Sequence, residues 1–183
     1  MKVLFIGIGN MGLPMAINLH RSGQRVVAVD MSKELLEKAA DQGVETASSA
    51  LAALDGCDAI ITMLPSDAAV QSVYLDSGLL ESLAKDTLVI DCSTISAEAA
   101  KNLHSAGDGL GVSVVDAPVS GGTAGAKAGT LSFICGGSED AVKRATPLLK
   151  VMGANVFHAG AAGAGQIAKI ANNMLLAVLM TGT

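Results

Sequence analysis

The sequence is poor in aromatic residues and in positive charge. It contains no tryptophan, one tyrosine and three phenylalanines, and its 12 lysines and arginines are outnumbered by 17 aspartates and glutamates, for a net charge of −5 at pH 7. Proteins that bind nucleic acid usually need a basic surface to neutralise phosphates, and often aromatic side chains to stack on bases. The composition therefore argues against a nucleic-acid partner.

Cysteine and histidine are scarce and scattered. The chain has three of each, at Cys57, Cys92, Cys135, His20, His104 and His158. It contains neither a C-x-x-C nor an H-E-x-x-H pattern, and an odd number of distant cysteines does not make a disulfide framework. We therefore expect no metal site, and we expect a reducing, cytoplasmic environment.

Long uninterrupted apolar runs are also absent. Residues 3–12 break into glycines and are not followed by a cleavage site of the kind that ends a signal peptide. The apolar stretch 167–180 is shorter than the roughly 20 residues that a membrane span needs, and Lys169, Asn172 and Asn173 interrupt it. The sequence predicts no membrane segment.

What the sequence does contain is an alternation of short apolar runs and amphipathic segments. Strands are predicted at 2–7, 25–30, 58–64, 87–91, 112–116, 131–135 and 154–157, and helices at 10–21, 32–42, 67–75, 96–106 and 139–152. Pro147 is expected to kink or restart the last of these helices. Continuous apolar strands separated by helices predict an α/β fold: a Rossmann-like, doubly wound, mainly parallel sheet.

A glycine motif lies between the first strand and the first helix. It reads Gly7, Ile8, Gly9, Asn10, Met11, Gly12, and Asp30 ends the second strand 18 residues after Gly12. This G-x-G-x-x-G pattern with a later acid is typical of a dinucleotide site, and a carboxylate at that position favours NAD over NADP. The alternative is that the glycines are needed only for packing of the turn, and that Asp30 is a solvent-exposed acidic residue in a loop.

Three further segments are candidates for a site. Two of them lie at the carboxyl ends of predicted strands, where α/β proteins bind ligands: Met63, Leu64 and Pro65, and Asp91, Cys92, Ser93 and Thr94. Ser93 or Thr94 could equally cap the next helix. Residues 116–129 are predicted to form a long loop of small residues, in which Ser120, Gly121 and Gly122 would present N–H groups to a carboxylate; an ordinary connection is the alternative.

Lys169 and Asn173 are four residues apart in the terminal helical segment and so share one face. Apolar neighbours could lower the pKa of the lysine and make it a proton donor or acceptor, or the lysine could extend from a packed helix into solvent.

In their order along the chain and in their residues, these motifs resemble those of the 3-hydroxyisobutyrate dehydrogenase family of β-hydroxyacid dehydrogenases. The resemblance covers the whole chain, from FIGIGNMGLPMA through MLP, DCST and DAPVSGGTAGAKAGTL to GAGQIAKIANN. It implies that residues 7–12, Asp30, the 63–65 segment and Thr94 contact NAD. It also implies that Ser120, Gly121 and Gly122 hold the substrate carboxylate and that Asn173 helps to orient it. Lys169 would be the catalytic acid/base for oxidation of 3-hydroxyisobutyrate to methylmalonate semialdehyde.

The same resemblance implies a domain organisation. Residues 1–162 would be the NAD-binding domain, and 163–183 would begin a long interdomain helix leading to an all-helical domain and a homo-oligomer. The chain stops inside that helix, so we expect it alone to bind NAD weakly and to turn over poorly.

Other functions remain open on sequence grounds. A tartronate semialdehyde reductase or a serine-type β-hydroxyacid dehydrogenase would share these motifs. An imine reductase shares the fold but tends to replace the lysine, and a phosphogluconate dehydrogenase would need more cations than Lys127 near residues 120–129. A non-catalytic NAD-binding sensor would keep the glycine motif and would not need Lys169.

Overall fold

A computed structural model describes residues 1–181, which form one nine-stranded sheet with helices on both faces. The strands are β1 (Lys2–Ile6), β2 (Arg25–Val29), β3 (Glu45–Thr46), β4 (Ala59–Thr62), β5 (Leu88–Asp91), β6 (Ser113–Asp116), β7 (Val119–Ser120), β8 (Leu131–Gly136) and β9 (Gly153–Gly160). The helices are α1 (Gly12–Arg21), α2 (Lys33–Asp41), α3 (Asp67–Gln71), α4 (Ala97–Leu110), α5 (Gly122–Ala128), α6 (Glu139–Met152) and α7 (Ala164–Thr181).

The strand order is β3-β2-β1-β4-β5-β6-β8-β7, with β9 paired to β8. All pairs from β3 to β6 are parallel, β8 is antiparallel to β6 and β7, and β9 is parallel to β8. The predicted doubly wound, mainly parallel α/β fold is therefore confirmed.

Alternating side chains of the central strands fill two separate cores. Val3 and Phe5 of β1 pack on the side that contains α1 and α6, whereas Leu4 and Ile6 pack on the side that contains α4. Because both faces of each strand are covered, neither face needs polar residues, which is why these strands are uniformly apolar in sequence.

The segment 116–129 is not the long loop that the sequence predicts. It contains the short strand β7 and the helix α5, in which Gly125 and Ala126 are buried. The Asn18 side chain of α1 donates to the carbonyl oxygen of Ala126 at 2.8 Å. Contact with α1 thus helps to stabilise α5. The helix was not predicted from the sequence because glycine has a low helix propensity.

Other boundaries differ in smaller ways. Helix α6 continues through Pro147 without restarting, because buried residues on both sides of the proline hold it against the core. Helix α3 is followed by a π-helical turn over Ser72–Asp76. Strand β3 was not predicted because it is only two residues long and both residues are exposed. Helix α7 begins near the predicted start of the interdomain helix, whose last two residues, 182–183, lie outside the described part.

The sheet changes winding direction beside β1. From β1 the chain passes through α1 to β2 on one side, and it later returns to β4 on the other side of β1. At such a switch point the loops after the two central strands separate and leave a crevice, where α/β proteins bind their ligands. Gly7 follows β1 and Met63 follows β4, so the predicted segments flank this crevice.

Candidate functional site

The glycine turn between β1 and α1 has two positions that the protein itself restricts to glycine. Gly7 has a φ of +88°, and its N–H donates to the carbonyl oxygen of Val29 at 2.9 Å. A Cβ on Gly7 would lie 2.5 Å from the carbonyl oxygen of Met63, and a Cβ on Gly12 would overlap the carbonyl oxygen of Gly7. The first and third glycines of the motif are thus needed for packing.

The middle glycine is different. No atom of the described chain lies within 4 Å of a Cβ built on Gly9, and its φ is not in the left-handed region. Packing therefore does not require glycine here, whereas a diphosphate that approaches the backbone closely would. The open space at Gly9 fits the diphosphate of a dinucleotide, and the backbone of Ile8, Asn10 and Met11 continues the same turn.

Asp30 connects this turn to the start of α2. Its Oδ2 accepts from the N–H of Ile8 at 2.8 Å, and its Oδ1 accepts from the N–H of Ser32 at 2.9 Å. The residue is half-buried, so it is not the solvated loop acid of the alternative interpretation. Each carboxylate oxygen can accept a second hydrogen bond, so hydroxyl groups of a ribose could still bind there.

The ends of β4 and β5 are joined through Ser93, which is fully buried. Its hydroxyl donates to Oδ1 of Asp91 at 2.6 Å and accepts from the N–H of Leu64 at 2.8 Å. The same Oδ1 accepts from the hydroxyl of Thr62 at 2.7 Å, and Tyr74 contacts Thr62 at 3.2 Å. This network fixes the 63–65 segment against the end of β5.

Asp91 is a buried carboxyl group whose second oxygen, Oδ2, has no hydrogen-bond partner among the described residues. Burial raises the pKa of this carboxyl above its usual 3.8, although hydrogen bonds from Ser93 and Thr62 act in the opposite direction. The folded state therefore binds the proton more tightly than the unfolded state, and stability falls as pH rises from about 4 through the raised pKa.

We expect Asp91→Asn to raise the free energy of unfolding at pH 7, by about 1.4 kcal/mol for each unit of the pKa shift that it removes. The amide oxygen can keep the hydrogen bonds that Oδ1 accepts from the Thr62 hydroxyl, the Ser93 hydroxyl and the Ser93 N–H, and the group no longer ionises. Urea unfolding at pH 7 and pH 3.5 measures this, because the gain should disappear at the lower pH. Asp76→Asn, at an exposed position, is the matched control and should leave the free energy of unfolding nearly unchanged. A lower free energy of unfolding at pH 7 in Asp91→Asn, but not in the control, would contradict the prediction.

Thr94 is exposed and makes no hydrogen bond within the described chain, so it is available to a ligand. Neither it nor Ser93 caps α4, as one sequence interpretation proposed. The cap is Ser96, whose hydroxyl accepts from the N–H of Ala99 at 3.1 Å.

The start of α7 is held by Asp116, which is buried at the end of β6. Its carboxylate accepts from the N–H of Gly163 at 2.8 Å and of Gln166 at 3.2 Å, and it lies 2.9 Å from Nε2 of His104. A carboxylate at this end of a helix satisfies N–H groups that have no partner inside the helix and complements the helix dipole.

The side chain of Gln166 links α7 to the segment after β5. Its Nε2 donates to the carbonyl oxygen of Ser93 at 2.8 Å, and its Oε1 accepts from the N–H of Ile95 at 3.2 Å. These two bonds, called the Gln166 clamp below, lie on either side of Thr94. Gln166 is fully buried.

Lys169 lies one turn further along α7 and is only 8% exposed. Burial lowers the pKa of its amine below the usual 10.5, and the amine has no hydrogen-bond or ion-pair partner among the described residues. Asn173 follows on the same face and is exposed. A lysine in this state can give up its proton more easily than one in water.

The predicted carboxylate-binding residues lie at the end of β7 and the start of α5. Ser120 is in β7, opposite Ser132 of β8, and Gly121 and Gly122 have φ values of +129° and +59°. Both glycines are exposed. Within the described residues no hydrogen bond joins this segment to Lys169, and its part in a carboxylate site stays a prediction.

The sequence placed Asp91 and Asp116 in candidate segments but did not predict that they and Gln166 hold the candidate site in place. Asp91 and Asp116 each end a buried apolar strand, and a charged residue at such a position is the signal that could have indicated this role. Gln166 precedes Lys169 by three residues, so the helical period already placed both on one face. Apart from Ser93, which is two residues from Asp91, their partners are distant in sequence and had no local signal.

The described residues give little sign of other chemistry. No group of three or more histidine, cysteine, aspartate or glutamate residues among them is placed to bind a metal ion. Burial raises the pKa of the Cys135 thiol to about 12, so it stays protonated at neutral pH. Within residues 1–181 no helix has the length and apolar character to cross a bilayer.

Comparison with known proteins identifies the fold and its relatives. Residues 2–160 match the family described as "NAD binding domain of 6-phosphogluconate dehydrogenase". A 3-hydroxyisobutyrate dehydrogenase from Pseudomonas aeruginosa is 50% identical over 182 residues, which cover 99% of this chain and 61% of the relative. An NAD-dependent L-serine dehydrogenase from the same organism is 48% identical over 183 residues, covering 100% and 61%.

A solved structure agrees with these sequence relatives. A 3-hydroxyisobutyrate dehydrogenase from Mycobacterium tuberculosis, solved with L-serine, superposes with a TM-score of 0.93 and 44% identity, over 97% of this chain and 60% of that one. The chain thus spans about three fifths of the length of the relatives that it matches. The resemblance inferred from the motifs is confirmed, and the predicted cofactor, NAD, is that of the matched family. The chain belongs to the family of NAD-binding domains described for 6-phosphogluconate dehydrogenase, and 3-hydroxyisobutyrate dehydrogenases are among the relatives that it matches.

Proposed function

We propose that this chain is the cofactor-binding part of an NAD-dependent β-hydroxyacid dehydrogenase that oxidises 3-hydroxyisobutyrate to methylmalonate semialdehyde. The observation that carries the proposal is Lys169, a lysine amine withdrawn from solvent and without a partner among the described residues, on a helix hydrogen-bonded to the segment beside the cofactor crevice. Two relatives named for this activity, at 50% and 44% identity, support the substrate.

NAD would lie across the crevice at the switch point. The turn at residues 7–12 would receive the diphosphate beside Gly9, and the carboxylate of Asp30 would accept hydrogen bonds from ribose hydroxyls. That carboxylate would repel an added phosphate, so NAD would bind in preference to NADP. Met63, Leu64, Pro65 and the exposed Thr94 would line the path toward the reacting end.

The protein's contribution to the chemistry is proton transfer and orientation. NAD, held by residues 7–12 and Asp30, would supply the hydride acceptor for oxidation of the carbinol carbon. The neutral amine of Lys169 would accept the hydroxyl proton as the carbonyl forms, and in the reverse reaction its ammonium would return that proton to the oxygen. Ser120, Gly121 and Gly122 would hold the substrate carboxylate, and Asn173 would orient it.

The test is NADH formation by the full-length protein with 3-hydroxyisobutyrate, 3-hydroxypropionate, serine, glycerate and 6-phosphogluconate, each with NAD and with NADP. We expect 3-hydroxyisobutyrate with NAD to have the highest kcat/KM. Preference for another of these acids would reject the substrate and leave the reaction class in place. Binding of NAD without turnover of any acid would reject the enzyme and favour a sensor.

L-Serine is the second candidate substrate. It is favoured by the 48% identity to a relative named as an NAD-dependent L-serine dehydrogenase. The match covers all 183 residues of this chain. Serine and 3-hydroxyisobutyrate share a carboxylate and a primary hydroxyl and differ in an ammonium or methyl group on the carbon between them. The same panel therefore separates the two candidates.

Homo-oligomer formation, the cytoplasmic location and the domain boundary at residue 162 stay predictions.

A further inference from the structure

We infer that Gln166 is a positioning residue, which sets the place of Lys169 relative to Thr94 by means of the Gln166 clamp. The inference rests on the proposed function, because it assigns Lys169 and Thr94 to the two sides of one reaction. It adds a residue that neither the motif spacing nor the relatives' names assign.

The clamp has the geometry of a specific connection. The amide of Gln166 uses both its donor and its acceptor, to the carbonyl oxygen of Ser93 and the N–H of Ile95, and these two backbone groups flank Thr94. Since the amide pairs with backbone groups, it fixes the path of the 93–95 segment and not merely one side chain. A buried donor and acceptor that are both satisfied resist displacement, because moving either leaves an unpaired polar group.

Two other contacts make the clamp rigid at each end. On the helix side, the backbone N–H of Gln166 is itself held by Asp116 at 3.2 Å, so the residue cannot slide along the sheet. On the strand side, the Ser93 hydroxyl accepts from the N–H of Leu64. A continuous set of hydrogen bonds thus connects the 63–65 segment, through Ser93 and Gln166, to the turn of α7 that carries Lys169.

The expected consequence is loss of alignment and not loss of the amine. In a hydride-transfer site, a displacement of about 1 Å between reacting groups can reduce the rate by about 100-fold. Without the clamp, α7 keeps Lys169 but loses its fixed distance from the 93–95 segment. We therefore expect Gln166→Met to lower kcat by about 10- to 100-fold while the Kd for NAD changes by less than about threefold.

The experiment measures Gln166→Met and the size-matched Gln166→Glu in the full-length protein. The glutamate keeps an acceptor for Ile95, and as a carboxylate it has no donor for the carbonyl oxygen of Ser93. Gln71→Met, at an exposed position at the end of α3, is the matched control. Each clamp variant is also combined with Lys169→Met. If Gln166 acts through Lys169, the clamp variant lowers turnover strongly in the wild-type background and by less than about twofold in the Lys169→Met background.

Amide hydrogen exchange at Ile95 provides a readout that does not depend on turnover. We expect exchange at least about tenfold faster in Gln166→Met than in wild type, since the N–H loses its acceptor. Unchanged exchange, unchanged kcat in an active enzyme, or equal losses in both backgrounds would each overturn the inference. An inactive wild-type enzyme would instead reject the proposed function, while the exchange result would still decide whether the clamp exists.

Discussion

Replacing Lys169 by methionine is expected to lower kcat for the hydroxy acid by about 10²- to 10⁴-fold, the range that a positioned acid/base contributes. Methionine is unbranched and fills a similar space, so it removes the amine without opening a cavity. The lysine is not among the residues expected to contact NAD, and the Kd for NAD should therefore stay within about threefold of wild type. Lys150→Met, at an exposed position on α6, should change neither quantity.

The pH dependence of the wild-type reaction should identify the same group. Oxidation needs the neutral amine, so kcat/KM for the hydroxy acid should rise with pH along one ionisation whose midpoint lies below the usual 10.5 of lysine. The reverse reduction needs the ammonium and should fall over the same interval. Loss of this ionisation in Lys169→Met would support the assignment, whereas a profile identical to wild type would rule it out.

Thermal unfolding distinguishes lost chemistry from a lost fold in this variant. Because burial lowers the pKa of Lys169 in the folded state, the charged amine opposes folding at every pH below that value, and the effect fades as pH rises toward 10.5. Lys169→Met should therefore unfold at the same or a higher temperature than wild type at pH 7. A sensor, which does not use the lysine, would show wild-type NAD binding in this variant and no turnover in either protein.

Gly12→Ala is expected to destabilise the protein by more than about 3 kcal/mol, the upper range for overpacking at a site that cannot relax. The new Cβ would overlap the carbonyl oxygen of Gly7 and lie 3.1 Å from the ring of Phe5. The oxygen belongs to the backbone of the turn and cannot rotate away as a side chain could. Urea unfolding should show the loss, and NAD binding should fall with it because the turn must open.

Gly9→Ala is the matched control, with the opposite pattern. Its Cβ meets no described atom within 4 Å and its φ suits alanine, so the free energy of unfolding should change by less than about 1 kcal/mol. The Kd for NAD should nevertheless rise at least about tenfold, since the methyl group occupies the space that the diphosphate needs. Wild-type affinity in Gly9→Ala would show that the dinucleotide does not approach this turn.

Local sequence patterns predicted most of the elements. Apolar runs such as the one in β4 are short because a strand crosses the sheet in a few residues, and they are continuous because both faces are buried. The same patterns failed for β3 and α5. The first is too short and exposed to show a period, and the second owes its stability to α1, which the local sequence of α5 does not reveal.

The candidate site divides in the same way. The glycine turn, Asp30 and the pair of Lys169 and Asn173 were predictable, because each depends on spacing within one or two adjacent elements. The hydrogen-bonded arrangement of Asp91, Asp116 and Gln166 was not predictable, since each has at least one partner that is far from it in sequence. Gln166 and Ser93, for example, are 73 residues apart along the chain.

The sequence by itself thus determined the fold class, the position of the glycine turn and the face of the helix that carries Lys169, since hydrophobic period, glycine placement and helical spacing are local properties. Only the tertiary structure decided that Gly7 and Gly12 are required by packing while Gly9 is not, and that Lys169 is buried. It also decided which buried polar groups join α7 to the strand ends. The physical reason is that burial and the pairing of polar groups depend on which distant segments meet, and this is settled when the sheet assembles and its helices pack against it.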